Sequence, residues 1–303
     1  MKRITLFILA LSFMGILRGQ ERHLITSDSV NLYFNVKGTG TPCLYIHGGP
    51  GSGSYWLELF LGDFLEKHFQ MIYLDQRGTG RSSSPENKDY SMSRMVRDFE
   101  EVRESLGIGK WLTLGHSFGG LLQMGYVTDR PNSVAGMIFI NGTISLEDSF
   151  GKSWLPKALE LTGADVPPAC KDTSLPLYGR MSAIIPVLVE KGIIWKLFFA
   201  DEGNSRKMND TYSHFQSWNG DQSEIILEFS DYWQDFSVET PKVKQPVLFF
   251  YGKKDWAVGP DHFKIAAFPN MMLWGSDVGH MPFLENIPDL EKAITSFVER
   301  NGF

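Results

Sequence analysis

Short, almost wholly apolar runs recur along this chain: CLYIHG (43–48), QMIYLD (70–75), WLTLG (111–115), AGMIFIN (135–141), PVLFFYG (246–252) and MMLWG (271–275). Each is too short for a buried helix and is bounded by turn residues, which reads as a strand covered on both faces. Between several of them lie segments with helical spacing, such as SMSRMVRDFEEVRESLG and the late PDLEKAITSFVER. This alternation predicts an α/β fold, a mostly parallel central sheet with helices on both faces. Ahead of the first run, RHLITSDSVNLYFNVKGTG alternates polar and apolar positions and ends in turn signals, which predicts two antiparallel strands. The rhythm stops between about 144 and 240, a stretch rich in Trp, Phe and Pro with helical runs such as MSAIIPVLVEKGIIWKLFFA. It predicts a helical cap inserted at a strand's carboxyl end, over the place where such sheets bind ligands. The expected organisation is therefore 20–143 with 241–303 as the α/β domain and 144–240 as the cap.

The start of the chain reads differently. Lys2 and Arg3 precede the apolar run 4–17, and Gly19 follows at a small-residue cleavage point. That is the layout of a secretory signal peptide, residues 1–19. The run falls short of the roughly 20 residues that a membrane span needs. The expectation is a periplasmic or secreted mature chain with no stable membrane insertion. The 303 residues are 43% hydrophobic, enough for one large core, and the net charge of −6 comes without a basic face for nucleic acid. Of the two cysteines, Cys43 sits in an apolar run and Cys170 follows two prolines. Neither has metal-ligand spacing, and no cofactor is implied. Oligomeric state is not legible.

The chemistry centres on TLGHSFGGLL (113–122). Gly115-His116-Ser117-Phe118-Gly119 fits G-x-S-x-G between an apolar strand and a helix, the setting in which a sharp turn presents a serine nucleophile. A serine hydroxyl needs a base. Among seven histidines, His280 follows the last strand at the same sheet edge. His116 adjoins the serine, and His262 falls in a helix after Asp255. The base needs a carboxylate to fix its tautomer, and Asp255 stands just past PVLFFYG. The chain order Ser117, Asp255, His280 is that of α/β-hydrolases. The segment HGGPGSGSYW, from His47, supplies glycine N–H groups for an oxyanion. The expected donors are the N–H groups of Phe118 and Gly49, with Gly48 the second choice for the latter.

HGGPG, LDQRGTGRS (74–82), GHSFGG, YGKKDWAV and VGHMPFLE together resemble the α/β-hydrolase superfamily, and within it the proline iminopeptidase family of serine exopeptidases. The resemblance covers the chain from about residue 30 onward, apart from the cap. It implies release of an N-terminal residue through an acyl-enzyme, without metal or cofactor. Asp75, Arg77, Gly78, Gly80 and Ser82 match the second motif and read as structural. The family's nucleophile turn reads GGSWG where this chain has GHSFGG, a form shared with esterases and carbon–carbon-bond hydrolases. An exopeptidase must pair the substrate's ammonium with a carboxylate, and the family supplies cap glutamates, one in a Trp-Glu-Gly setting. The local match here is Trp218-Asn219-Gly220, with an amide in the carboxylate's place. Glu228 resembles another family glutamate, and Glu224 is near it in sequence. The substrate is thus expected to be a small peptide, or an ester if the same triad serves a carboxylesterase or carbon–carbon hydrolase. A binding protein on a retired hydrolase scaffold would lack a triad member, and none is missing.

Overall fold

The structure is a computed structural model that describes residues 19–212 and 218–303. The expected signal peptide lies outside the described residues but for Gly19. An eight-stranded sheet runs in the order β1-β2-β4-β3-β5-β6-β7-β8. The strands are β1 (Gln20–Ile25), β2 (Asn31–Lys37), β3 (Thr41–Ile46), β4 (Phe69–Leu74), β5 (Trp111–His116), β6 (Val134–Ile140), β7 (Val247–Gly252) and β8 (Met271–Ser276). The two N-terminal strands pair antiparallel with each other, and β2 pairs antiparallel with β4. From β4 to β8 every pairing is parallel. The first apolar run extends two residues beyond β3, because His47 and Gly48 are buried like strand residues but belong to the loop.

The strands are apolar throughout because both faces are covered. Along β3, Leu44 and Ile46 join one core, and Cys43 and Tyr45 join the other, the two-residue period of a pleated strand. Helices α2 (Met92–Ser105) and α3 (Gly119–Asp129) close the first core through Val96, Phe99, Leu121 and Leu122. Helix α1 (Tyr55–His68) and the helix Ile287–Asn301 close the second through Leu57, Leu61, Leu290 and Phe297. Side-chain oxygens of Ser91 and Asn286 accept the N-terminal N–H groups of α2 and of Ile287–Asn301, which fixes where those helices begin.

Between β6 and β7 the described residues form helices and turns, from Glu147–Trp154 to Thr240–Lys242, apart from a single β-bridge at Asn219. Leu177–Glu190, with Pro186 inside it, packs with Leu155–Thr162 around Trp154, Ile184, Leu188 and Leu197. This cluster also takes in Ala257, next to the Asp255 loop. Cys43 and Cys170 are both buried free thiols. Among the described residues, no helix is long and apolar enough to cross a membrane, and no acidic, histidine or cysteine cluster could hold a metal.

Candidate active site

Ser117 stands in the turn between β5 and α3, with φ +55. A side chain in that left-handed region is strained, and the surroundings hold it there. Ser117 N–H donates to Asn141 O (3.2 Å), and Ser117 O accepts from Gly120 N–H (2.9 Å) and Thr143 N–H (3.0 Å). The turn is closed by glycine: a Cβ on Gly119 would collide with the Ile46 carbonyl at the end of β3. Residues 111–127 are all buried except Ser117, which is half-buried. The fold therefore makes one hydroxyl accessible in an otherwise closed segment.

Asp255 and His280 stand past the carboxyl ends of β7 and β8, at the same sheet edge as Ser117. Asp255 Oδ2 accepts from His280 Nδ1 at 2.9 Å. Its Oδ1 accepts from Ala257 N–H (2.9 Å) and Val258 N–H (3.1 Å). Both side chains are almost wholly buried. With Nδ1 bound to the carboxylate, Nε2 is the ring nitrogen left to take a proton.

His116 does more than adjoin the serine. Its Nε2–H donates to the His280 carbonyl (2.9 Å), and its ring lies 4.7 Å from the His280 ring and 5.1 Å from Phe283. Burial, and then the neighbouring His280, push its pKa well below the usual histidine value. His262 is tied up elsewhere: Nε2 accepts from Ile144 N–H (3.0 Å) and Nδ1 meets Asp148 Oδ1 (2.9 Å), at the root of the cap.

The loop after β3 is pressed onto the serine. A Cβ on Gly48 would stand 2.6 Å from Ser117 Cβ and 2.7 Å from His116 O. Gly49, the first-choice donor, takes φ +112 and precedes a cis bond to Pro50. The N–H groups of Gly48, Gly49 and Phe118 have no hydrogen bond to a described residue. Beneath the loop, His47 is fully buried. Its Nδ1–H donates to Gly48 O (3.0 Å) and its Nε2 accepts from Gln76 N–H (3.1 Å). Burial pushes its pKa down to about 4, so it is neutral at pH 7.

The second motif braces this loop. Asp75 Oδ1 accepts from Ser54 N–H and Oγ–H (both 2.8 Å), and its Oδ2 pairs with Arg81 Nε (2.7 Å). Arg77 is completely buried and paired with Asp98 (2.6 Å) and Asp28 (2.9 Å). Ser82 Oγ–H donates to Asp75 O (2.6 Å). The cap is stitched to the same place. Gly80 pairs with Asn219 backbone to backbone. Gln222 Oε1 accepts from Gly51 N–H (3.1 Å) and its Nε2 reaches Gln76 Oε1 (3.3 Å).

A cavity of about 460 Å³ opens between the 50–53 loop, His116 and the cap. Trp56, Tyr212, Trp218, Met208, Met281 and Phe283 are among its lining residues; among the described residues no carboxylate lines it, and of the segment around the serine it is His116, not Ser117, that does. Of the expected substrate contacts, only Trp218 lies there. The Asn219 amide is engaged with Ser82 O (3.0 Å) and Ser84 Oγ (2.9 Å), so it braces the second motif rather than facing the cavity. Glu224 and Glu228 are exposed and line no part of the cavity. The short turns that carry them, Asp221–Ile225 and Ile226–Glu228, bury Gln222 and Ile226 instead.

The family model described as alpha/beta hydrolase fold matches residues 41–287. A proline iminopeptidase from Neisseria gonorrhoeae is 37% identical over 119 residues, 38% of this chain and 38% of its own length. A putative carbamate hydrolase from Klebsiella pneumoniae is 32% identical over 108 residues, 35% of this chain and 40% of its own. The chain thus matches about two-fifths of these relatives' lengths. A proline iminopeptidase-related protein from Thermus thermophilus has a similar structure, with a TM-score of 0.75 at 20% identity, covering 93% of this chain and 98% of its own.

Proposed function

The chain belongs to the alpha/beta hydrolase fold family, and from that premise we propose that it is a serine hydrolase of neutral acyl substrates, most simply carboxylic esters. Ser117 attacks the acyl carbon while His280 Nε2 takes its proton. Asp255 holds the imidazole in the Nδ1–H form and stabilises the imidazolium. The N–H of Phe118, at the start of α3, and that of Gly48 or Gly49 receive the oxyanion. His280 then returns its proton to the leaving alcohol. Water repeats the sequence on the acyl-enzyme.

The observation that carries the substrate class is the lining of the cavity beside His116, the neighbour of Ser117: aromatic and thioether side chains with, among the described residues, no carboxylate. An ammonium brought there would lose its hydration without a counter-charge, at a cost of several kcal/mol. Residues 213–217, next to Tyr212 and Trp218 in the chain, read SHFQS and contain no acidic residue either. A second reading, an aminopeptidase of the proline iminopeptidase type, is favoured by the 37% identity over 119 residues.

The test is fluorophosphonate labelling of wild type and Ser117→Ala, followed by p-nitrophenyl acyl esters and Pro- and Ala-p-nitroanilides. Labelling that needs Ser117, with ester turnover and no anilide turnover, is expected. Efficient Pro-anilide cleavage would instead establish the aminopeptidase. Full labelling of Ser117→Ala would remove the serine from the mechanism.

A further inference from the structure

Resting on the reading of Ser117, Asp255 and His280 as a catalytic triad, we propose that Glu285 is a positioning residue that hangs the His280 loop on the cap. The cap segment 197–200 then sets the geometry between acid and base. One carboxylate holds the backbone on both sides of the histidine: Glu285 Oε2 accepts from Gly279 N–H (3.0 Å) and Oε1 from Met281 N–H (3.2 Å). Its third donor comes from the cap, Ala200 N–H at 2.8 Å on Oε2.

The same cap segment reaches both members of the pair directly. His280 N–H donates to Phe198 O (2.6 Å), and Trp256 N–H, one residue past Asp255, donates to Leu197 O (3.2 Å). Successive cap carbonyls therefore hold the base loop and the acid loop. The fit is close. A Cβ on Gly279 would stand 2.6 Å from Phe198 O and 2.8 Å from Phe199 Cα, so the loop passes under the strap only because residue 279 is glycine. Burial raises the Glu285 pKa above the usual carboxylate value, and the three N–H donors converging on the half-buried side chain work against that rise; bonds to an ionised carboxylate are roughly twice as strong as those to an amide. Glu285 itself lies outside the cavity and acts on the reaction only through where it puts His280.

Glu285→Gln tests this. The amide is nearly isosteric but turns an NH₂ against one set of N–H donors. On a p-nitrophenyl ester, kcat per folded molecule is expected to fall about tenfold to a hundredfold, the effect of a misplacement on the ångström scale. KM should stay within about threefold, because of the residues that line the cavity only Met281 is bonded to Glu285. The fluorophosphonate labelling rate should fall with kcat. The downfield proton resonance of the Asp255–His280 hydrogen bond should move or broaden. A side chain that only stabilised the fold would lower the melting temperature and leave kcat and the resonance alone, and that result overturns the proposal. If Glu285→Gln is recovered unfolded, Glu285→Asp carries the test. It keeps the charge but not the reach, so the same loss of kcat at steady KM is expected, and wild-type kcat overturns the proposal. Wild type that fails to react with fluorophosphonate overturns the triad reading itself. Labelled wild type beside a fully active Glu285→Gln overturns only the strap.

Discussion

Lowering the pH should destabilise this fold well before its carboxylates titrate, and His47 identifies one proton responsible. The ring is fully buried, its Nε2 accepts from Gln76 N–H and its Nδ1–H donates to Gly48 O. A proton on Nε2 would turn an N–H toward the Gln76 N–H, leaving only the Thr79 hydroxyl oxygen at 3.1 Å to accept it. Burial lowers the pKa from the ordinary 6.5 to about 4. Because the folded value is depressed, the unfolded chain binds this proton first as the pH falls. The contribution is whole above pH 6.5 and is lost progressively between 6.5 and about 4. At ~1.36 kcal/mol per pH unit, the gap between the two values corresponds to about 3 kcal/mol. His116, pushed down for the same reason, adds a loss of the same sign. Urea unfolding followed by tryptophan fluorescence, at pH steps from 7.5 to about 4.5, measures the slope through the midpoint at constant m. His47→Gln removes the titrating ring. Its stability should be lower at pH 7 and fall less steeply, by about 1.4 kcal/mol per pH unit at most. Wild type and variant declining in parallel would show that His47 is not the buried neutral ring described here.

Other outcomes follow from the same geometry. Asp255→Asn should lower kcat by about 10⁴-fold while leaving the melting temperature nearly unchanged, because the amide favours the wrong His280 tautomer; near-normal turnover would assign the acid elsewhere. Gly48→Ala puts a methyl 2.6 Å from Ser117 Cβ and 2.7 Å from a backbone oxygen, so one side must retreat and kcat should drop on the order of a hundredfold. A fully active Gly48→Ala enzyme would show that the loop is not pressed on the serine. Export, proposed from the apolar run 4–17 behind Lys2 and Arg3, predicts a mature terminus at or near Gln20 when protein from the native host is sequenced. An intact Met1 in the soluble fraction would exclude cleavage.

The strands and the positions of the three candidate residues at one sheet edge were legible for one reason: both are written in local pattern. A run of apolar residues ending in Gly or Asp specifies a covered strand and its carboxyl end, and Ser117, Asp255 and His280 each follow such an end. The helical stretch before β7 has no comparable period. Apolar side chains there pack on each other and on the sheet edge, so sequence neighbours fall on different sides. Gln222 is buried against the second motif, while Glu224 and Glu228, two and six residues later, face water. A short motif match could not tell those cases apart, and the amine anchor expected at Asn219, Glu224 or Glu228 rested on such matches.

The groups that hold the site together were illegible for a second reason. Glu285, Gln222 and His47 bond mainly to backbone N–H and C=O groups, which every residue except proline offers alike. Ala200 and Glu285 are separated by 85 positions, and Gly51 and Gln222 by 171. No residue type at Ala200 or Gly51 announces the partner, because any residue would donate the same N–H. What restricts the sequence is the acceptor side alone, together with the glycines that let backbone approach backbone. Gly48 and Gly279 are those glycines here, one under the serine loop and one under the cap strap. Each of them stood within a recognised motif, HGGPG and VGHMPFLE, whose chemistry drew attention to the histidine or the oxyanion. Their steric demand is the more local fact, since each is the point at which a second stretch of backbone passes too close for a side chain.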